Sequence, residues 1–403
     1  MPDARASRRI FSVRDAVRDV WVAPSSQIPA LDALRMIAIL MVIAGHFSWL
    51  GKAQFPTHGQ FFGRAMFEFG WTGVDLFFVL SGFLIGGQLW KEVRRSGTID
   101  VGRFILRRGL RIWPLYFAVV VLSPLLVGRS TYKWGDWAFL TNYVTGRVEG
   151  GWSLSTEEQF YIVAPLAILI GSRFLRMRGW FALFAAALAT VAGLRWWTSQ
   201  GLLHAGMSVA DVKTRMYTPF HLHNEGLIIG VSIALVFVTV PALFDGEPSH
   251  RRRMFGAAVA AAVLAILLRM TNGIVFSFFS LALIYGGATV ALLATRPAQL
   301  AALRIPPIYT LSRLSYGMYL NHFAVLRWIG PFVARGAKAI AGTGPIAICL
   351  TLGGVIVSSA LVALVTFVLI EHPFLVIRSR RFSSPPRPTL GVSAPLPAHT
   401  GVG

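Results

Sequence analysis

The sequence predicts an all-α fold, a polytopic transmembrane helical bundle of about ten spans. Of its 403 residues, 55% are hydrophobic and only 14% are charged, which separates the chain from soluble globular proteins. Apolar stretches long enough to cross about 30 Å of hydrocarbon recur along most of its length. We therefore expect one transmembrane domain over residues 30–375. A basic cytoplasmic segment at 1–29 precedes it, and a disordered cytoplasmic tail rich in Pro, Ser and Gly follows at 376–403.

Ten apolar stretches account for the predicted helices. Each is close to the length that a helix needs to cross the hydrocarbon layer. They lie near 34–50, 71–90, 112–128, 157–172, 179–194, 219–243, 254–268, 274–294, 314–334 and 344–371. A count of nine or eleven spans stays open, because the fourth and seventh stretches are short.

The Lys and Arg residues are divided unevenly between the two sides of this bundle. Most of the 38 fall in the N-terminal segment, in alternate connections and in the C-terminal tail. Cytoplasmic connections carry such an excess, so both termini are expected in the cytoplasm and the chain in the cell membrane as a multi-pass protein. The same distribution explains the net charge of +21 without a nucleic-acid partner. The single cysteine, Cys349, excludes an internal disulfide and a Cys-rich metal site.

Arg35 and His46 are the most informative polar pair, because both lie in the first apolar stretch. At about 100° per residue, the spacing returns to nearly the same helix face about 16 Å further along. Ionisable groups at that depth usually line a cavity, pair with a partner or take part in chemistry. A neutral imidazole there can take a proton from a hydroxyl group. Taken singly, Arg35 also fits a topology anchor and His46 a histidine satisfied by a neighbouring helix.

A second basic element precedes the third span, in the segment FILRRGLRIWPLYF. Helical spacing brings Arg107 or Arg108 beside Arg111. Guanidinium groups so arranged hold phosphates through bidentate hydrogen bonds. Anchoring of the span by the positive-inside rule is the alternative interpretation.

Three carboxylates lie near the predicted far side of the membrane. Asp75 begins the second span, where it fits a partner for His46 or a substrate hydroxyl, or a cap of its own helix. Glu157 and Glu158 begin the fourth span, with Ser155 and Glu158 in the spacing of a capping box. Adjacent residues point to different helix faces, so one carboxylate can cap while the other faces the interior.

Further polar residues lie at the start of the sixth span, within the ninth span and at the end of the tenth. His221, His223 and Glu225 do not reproduce the HExxH spacing, and no metal site is expected there. Singly, each of the remaining polar residues fits a packing or boundary role. These are Tyr316, Tyr319, Asn321, His322, Glu371 and His372.

With these motifs together, the sequence resembles the membrane acyltransferase family 3, also called the acyltransferase-3 or O-acyltransferase-like family. The resemblance runs from about Leu31 to Pro373. It is carried by LDALRMIAILMVIAGH, GVDLFFVLSGFLI, FILRRGLRIWPLY, WSLSTEEQFY, SYGMYLNH and IEHPF. The Arg-x10-His spacing and WSLSTEEQFY are its specific motifs.

The resemblance implies transfer of an acyl group, commonly acetyl from acetyl-CoA, to a hydroxyl of a carbohydrate or glycosylated acceptor in a protein surrounded by membrane lipid. Arg35 and His46 match the Arg and His positions of the family, and Arg108 with Arg111 match its Arg-x-x-Arg element. The predicted mechanism has acyl-CoA phosphates on the three arginines, His46 as general base, and carboxylates that orient histidine or acceptor. Those carboxylates are Asp75, Glu157 and Glu158.

One departure and two open alternatives accompany this prediction. Where many members carry an Arg and an Asp two residues apart at the sixth span, this chain has His223 and Glu225. Direct transfer and transient acylation of a protein group are both compatible with the sequence. A transporter or flippase of a polar solute would use the same intramembrane polar residues, although no internal repeat supports it.

Overall fold

The computed structural model of the protein describes residues 12–24, 27–57, 59, 64, 66, 68, 70–127 and 133–382. These residues form helices and connecting segments, and none of them lies in a β-strand, which confirms the predicted all-α class. Parts of the expected N-terminal segment and C-terminal tail, residues 1–11, 25–26 and 383–403, lie outside the described residues.

Among the described residues, helices of at least nine residues form most of the fold. In chain order they are α1 (Val13–Trp21), α2 (Pro29–Gln54), α3 (Gly73–Ser96), α4 (Val101–Val127), α5 (Gly151–Gly171), α6 (Met177–His204), α7 (Val209–Tyr217), α8 (Glu225–Thr239), α9 (Pro248–Thr271), α10 (Ser277–Leu293), α11 (Pro306–Ala324), α12 (Gly330–Ala341), α13 (Pro345–Thr366) and α14 (His372–Phe382). Two π-helical turns, Val325–Ile329 and Phe367–Glu371, join α11 to α12 and α13 to α14.

Every predicted apolar stretch contains helix. Within the described ranges, five helical runs are long and apolar enough to cross a membrane, and α8 and α10 are apolar but shorter. The five are Pro29–Gln54, Gly73–Ser96, Met177–His204, Pro248–Thr271 and Pro345–Phe382. The two stretches predicted to be short lie within longer helices, α5 and α9, of 21 and 24 residues. Both helices contain polar residues in their first turns, so the apolar stretch is shorter than the helix.

The start of α5 differs from the prediction. The helix begins at Gly151, directly after Gly150 in the left-handed conformation with φ of 75°. Ser155 is therefore inside the helix, where its hydroxyl lies 2.9 Å from that of Thr141. The predicted capping box of Ser155 and Glu158 is wrong, because the turn at Gly150 starts the helix earlier.

Helices α3 and α8 pack closely through glycines. A methyl group on Gly82 would lie 2.2 Å from the carbonyl oxygen of Leu227, and one on Gly230 the same distance from that of Val79. Only glycine permits this backbone approach, which is the small-residue packing common between membrane helices. In the most apolar part of α3, 72% of the residues are buried, against 11% in α6 and 6% in α9. Helix α3 is therefore central and α6 and α9 are peripheral.

The ends of the described chain are attached to the bundle. Helix α1 lies against α11, where Tyr309 donates a hydrogen bond of 2.9 Å to the carbonyl oxygen of Asp19. Helix α14 continues to Phe382. The expected boundary of the disordered tail at residue 376 is therefore corrected, since helix extends past it.

Candidate active site

Three of the predicted arginines and one predicted glutamate line a single cavity of about 110 Å³. Arg35 comes from α2, Arg108 and Arg111 from α4, and Glu157 from α5. Aromatic and hydroxyl side chains complete the wall. Among them are Phe77, Phe78, Ser81, Ser153, Ser315, Tyr316 and Tyr319. We call this space the arginine cavity.

The guanidinium groups of the arginine cavity have no ion-pair or hydrogen-bond partner among the described residues, although all three are half-buried. Arg111 also lies within electrostatic range of Arg313 and Arg378. Burying several cations together is costly unless an anion neutralises them. Asp32 lies in electrostatic range of Arg35, and Glu371 of Arg111 and Arg313, but the guanidiniums still outnumber the nearby carboxylates. The cavity can therefore receive an anionic ligand.

The two adjacent glutamates face different surroundings, as their spacing predicts. Glu157 accepts hydrogen bonds from the hydroxyls of Ser81, at 2.8 Å, and Tyr161, at 2.7 Å. Glu158 accepts from the indole nitrogen of Trp113 at 3.1 Å. Glu157 is in electrostatic range of Arg35 and Arg108, so it offsets part of the positive charge in the arginine cavity.

His46 lies in a different cavity, of about 410 Å³. Its lining comes from the end of α2, the segment before α5 and the end of α11 with the π turn that follows. The lining residues are Gly45, His46, Ser48, Trp49, Glu149, Phe323, Leu326 and Arg327. We call this space the histidine cavity.

The hydrogen bonds around His46 determine which of its nitrogens is free. Nδ1 of His322 lies 2.6 Å from the carbonyl oxygen of Tyr319, and a carbonyl can only accept, so this nitrogen carries a hydrogen. In the neutral ring, Nε2 of His322 is then an acceptor, 3.2 Å from Nδ1 of His46. Nδ1 of His46 is also 2.9 Å from the carbonyl oxygen of Val42, which again requires a donor. This assignment leaves Nε2 of His46 with a free lone pair.

Tyr319 and His322 lie between the two cavities, one turn apart on α11. The side chain of Tyr319 lines the arginine cavity, and its hydroxyl bonds the hydroxyl of Ser153 at 2.5 Å and the carbonyl oxygen of Gly150 at 3.0 Å. His322 contacts His46 on the other side. From the sequence, both residues had only packing roles. Their i, i+3 spacing in SYGMYLNH was the available signal for a shared function.

Asp75 is not a partner of His46. Its Oδ1 lies 2.8 Å from Nε2 of His223, and Nδ1 of His223 donates to the carbonyl oxygen of Tyr217 at 2.7 Å. Like Asp75, the carboxylates of Glu157 and Glu158 are engaged elsewhere, so none of the three predicted carboxylates hydrogen-bonds to His46. Of the two predicted roles, orientation of His46 does not agree with these hydrogen bonds, since His322 lies in that position. Contact with the acceptor stays a prediction.

The residues before α8 have separate partners. Glu225 forms a fully buried ion pair with Arg195 of α6, which also donates to the carbonyl oxygens of Leu222 and Val275. His221 instead bonds the hydroxyl of Tyr143 at 2.9 Å. The departure from the usual family pattern at His223 and Glu225 thus comes with a buried partner for each residue.

Comparison with known proteins identifies the family of the chain. The family model described as an acyltransferase domain, acyltransferase 3, matches residues 28–363. The chain therefore belongs to the acyltransferase-3 family. No solved structure matches it significantly.

Several curated relatives are O-acetyltransferases. The chain is 25% identical over 331 residues to the putative peptidoglycan O-acetyltransferase YrhL of Bacillus subtilis, covering 74% of this chain and 48% of that protein. It is 24% identical over 347 residues to the O-acetyltransferase OatA of Staphylococcus aureus, covering 77% and 52%. This chain spans about half of the length of these relatives.

Proposed function

We propose that the protein is an integral-membrane O-acyltransferase that moves an acetyl group from acetyl-CoA to a hydroxyl of a carbohydrate or glycosylated acceptor. Its family membership supports acyl transfer, and the names of its relatives support acetyl as the group and a cell-wall glycan as the class of acceptor. The described residues add two cavities, one suited to each substrate.

The observation that carries the proposal is the set of unpaired guanidiniums in the arginine cavity. Coenzyme A carries several phosphate charges, and guanidinium is the side chain that best matches phosphate through paired hydrogen bonds. Arg35, Arg108 and Arg111 would hold these phosphates, with Glu157 limiting the excess positive charge when the cavity is empty. The acyl arm would then extend past Tyr319 toward the histidine cavity.

His46 acts as the general base in this mechanism. Its free Nε2 takes the proton of the acceptor hydroxyl as the hydroxyl oxygen attacks the thioester carbonyl carbon. The carbon–sulfur bond breaks, and the departing thiolate takes that proton from the imidazolium, so coenzyme A leaves as a thiol. His322 is a positioning residue, because its Nε2 and the carbonyl oxygen of Val42 together keep the hydrogen on Nδ1 of His46, the tautomer that this step requires.

We further propose a direction across the membrane. In a ten-span topology with both termini in the cytoplasm, the starts of α2, α4 and α11 lie at the cytoplasmic side of the cell membrane, and Arg35, Arg108 and Arg111 open the arginine cavity toward that side. Glu157, from a helix that begins on the far side, lies at the deep end of the same cavity. His46, near the end of α2, then lies toward the exterior. Residues 30–375 make up the acyltransferase domain in this arrangement, and the domain delivers cytoplasmic acetyl groups to an extracytoplasmic acceptor.

Purified protein in proteoliposomes with radiolabelled acetyl-CoA tests the proposal. Release of coenzyme A thiol together with label on a glycan acceptor is the expected result. Counterflow of a polar solute without thiol release would instead establish a transporter. Mass spectrometry of surface glycans from cells with and without the protein then identifies the acetylated hydroxyl.

A further inference from the structure

The histidine cavity has a wall whose side chains take no part in the proposed proton transfer. Trp49 lies three residues after His46 on α2, on the same side of the helix, and lines the same cavity. Its side chain is 60% exposed despite its size. Phe323 lies against the His46 ring, with ring centroids 4.4 Å apart. An exposed indole in the same cavity as the half-buried imidazole of His46 offers a flat apolar surface for a ligand.

Two charged residues complete this wall. Glu149, from the segment before α5, and Arg327, after α11, both line the histidine cavity and are both exposed. Within the described part of the chain, neither forms a hydrogen bond or an ion pair. They also line a smaller adjoining cavity of about 20 Å³, together with Ser123 and Arg147. A carboxylate and a guanidinium free to bond a ligand therefore flank the space in front of His46.

The backbone near Arg327 is specialised. Arg327 lies in the π-helical turn Val325–Ile329, which interrupts regular α-helix between α11 and α12. Such turns are frequent at functional sites. Here the turn begins three residues after His322, so one short segment supplies both the residue that positions His46 and a residue of the cavity wall.

We infer that Trp49, Glu149 and Arg327 form the acceptor subsite and bind a sugar ring. This assignment rests on the proposed function and names the residues that select its acceptor. The apolar C–H face of a pyranose stacks on the indole of Trp49, as aromatic rings supply large rigid contact area. The carboxylate of Glu149 accepts from ring hydroxyls, and the guanidinium of Arg327 donates to them. A further hydroxyl of the same ring then reaches Nε2 of His46.

The test uses the full-length protein with acetyl-CoA and a matched pair of acceptors, octyl glucoside below its micellar concentration and 1-octanol. The two share the alkyl chain and differ in the sugar. We expect the parent protein to prefer octyl glucoside. Trp49→Ala should raise the KM for octyl glucoside about tenfold, the size of a lost aromatic contact, with the KM for acetyl-CoA unchanged. Trp49→Phe should retain most of the affinity.

Matched variants separate the subsite from general damage. Glu149→Gln and Arg327→Gln should also raise the acceptor KM while leaving the acetyl-CoA KM and thermal stability unchanged. Trp197→Ala, at an indole 75% exposed on peripheral α6, should change neither KM. Two results would overturn the acceptor subsite but leave the proposed function standing. One is an acceptor KM unchanged by Trp49→Ala, Glu149→Gln and Arg327→Gln. The other is a parent protein that uses 1-octanol as well as octyl glucoside. A parent that releases no thiol with any acceptor overturns the proposed function as well.

Discussion

Nε2 of His322 lies 3.2 Å from Nδ1 of His46, although 276 positions separate the two residues in the chain. Nδ1 of His322 is committed to the carbonyl oxygen of Tyr319, so the shared hydrogen belongs to His46. The relationship makes His322 the counterpart of the group that orients a catalytic histidine in hydrolases, with imidazole in place of a carboxylate. It predicts different outcomes for substitutions at the two histidines.

Replacing the base itself should abolish transfer. His46→Ala removes the only group assigned to take the acceptor proton, so the rate should fall at least about a hundredfold while the protein still inserts and folds. Initial rates of acetyl transfer measure the loss of activity. A monodisperse elution profile of the variant after extraction in detergent shows that it still folds. His204→Ala is the control, because His204 is exposed at the end of α6. Near-parent transfer by His46→Ala would remove the general base from the mechanism.

Replacing His322 should lower kcat without changing either KM. His322→Ala removes one of the two acceptors of the Nδ1 hydrogen of His46 and leaves the carbonyl oxygen of Val42. The imidazole is then held less firmly, so a smaller fraction of molecules presents Nε2 to the acceptor, and we expect kcat to fall about tenfold. Steady-state kinetics in both substrates distinguish this from a binding defect. His322→Asn, which can accept a hydrogen bond at this position, should recover part of kcat. A rise in the acceptor KM with unchanged kcat would show that His322 binds substrate instead.

Of the three neighbouring arginines on α4, two should affect the KM for acetyl-CoA and the third should not. Arg108 and Arg111 line the arginine cavity, whereas Arg107 is exposed outside it. Each lost phosphate contact should raise the acetyl-CoA KM about tenfold, the value of a charge-assisted hydrogen bond, in Arg108→Gln and Arg111→Gln. Arg107→Gln is the control and should match the parent. Equal effects at all three positions would indicate a general effect of charge on insertion.

Arg195 should contribute to stability and not to catalysis. It pairs with Glu225 and satisfies two backbone carbonyls, so Arg195→Met leaves an uncompensated buried carboxylate and should lower the free energy of unfolding by about 3–5 kcal/mol. Thermal unfolding in detergent measures the loss, with Arg215→Met as an exposed control. In the double variant with Glu225→Gln, part of the stability should return. A transition temperature unchanged by Arg195→Met contradicts the buried pair.

The proposed topology can be read from single cysteines. Cys349 is first replaced by Ser, and cysteine is then introduced at Ala210 or Ala298, both exposed. With both termini in the cytoplasm, Ala210→Cys should react with a membrane-impermeant maleimide in intact cells. Ala298→Cys should react only after lysis. The reverse pattern would invert the proposed direction of acetyl transfer.

Local sequence patterns accounted for much of the fold and part of the site. Every apolar stretch predicted from hydropathy contains a helix. A long apolar run is a local property of the sequence, so it can be recognised without knowledge of the tertiary contacts. The separation of Arg35 from His46 along α2 follows from helix geometry alone, and the two residues do line different cavities. The start of α5 was missed because the left-handed turn at Gly150 carries no hydropathy signal.

The sequence by itself determined an all-helical member of the acyltransferase-3 family with a cation and an imidazole at separate positions along one helix. Tertiary structure alone decided which side chains meet: His322 with His46, Asp75 with His223, and Arg195 with Glu225. The physical reason is that spacing along a helix specifies a face, whereas a partner depends on which other helix packs against that face. That packing depends on contacts far apart in the chain, such as the glycine-mediated approach of α3 to α8.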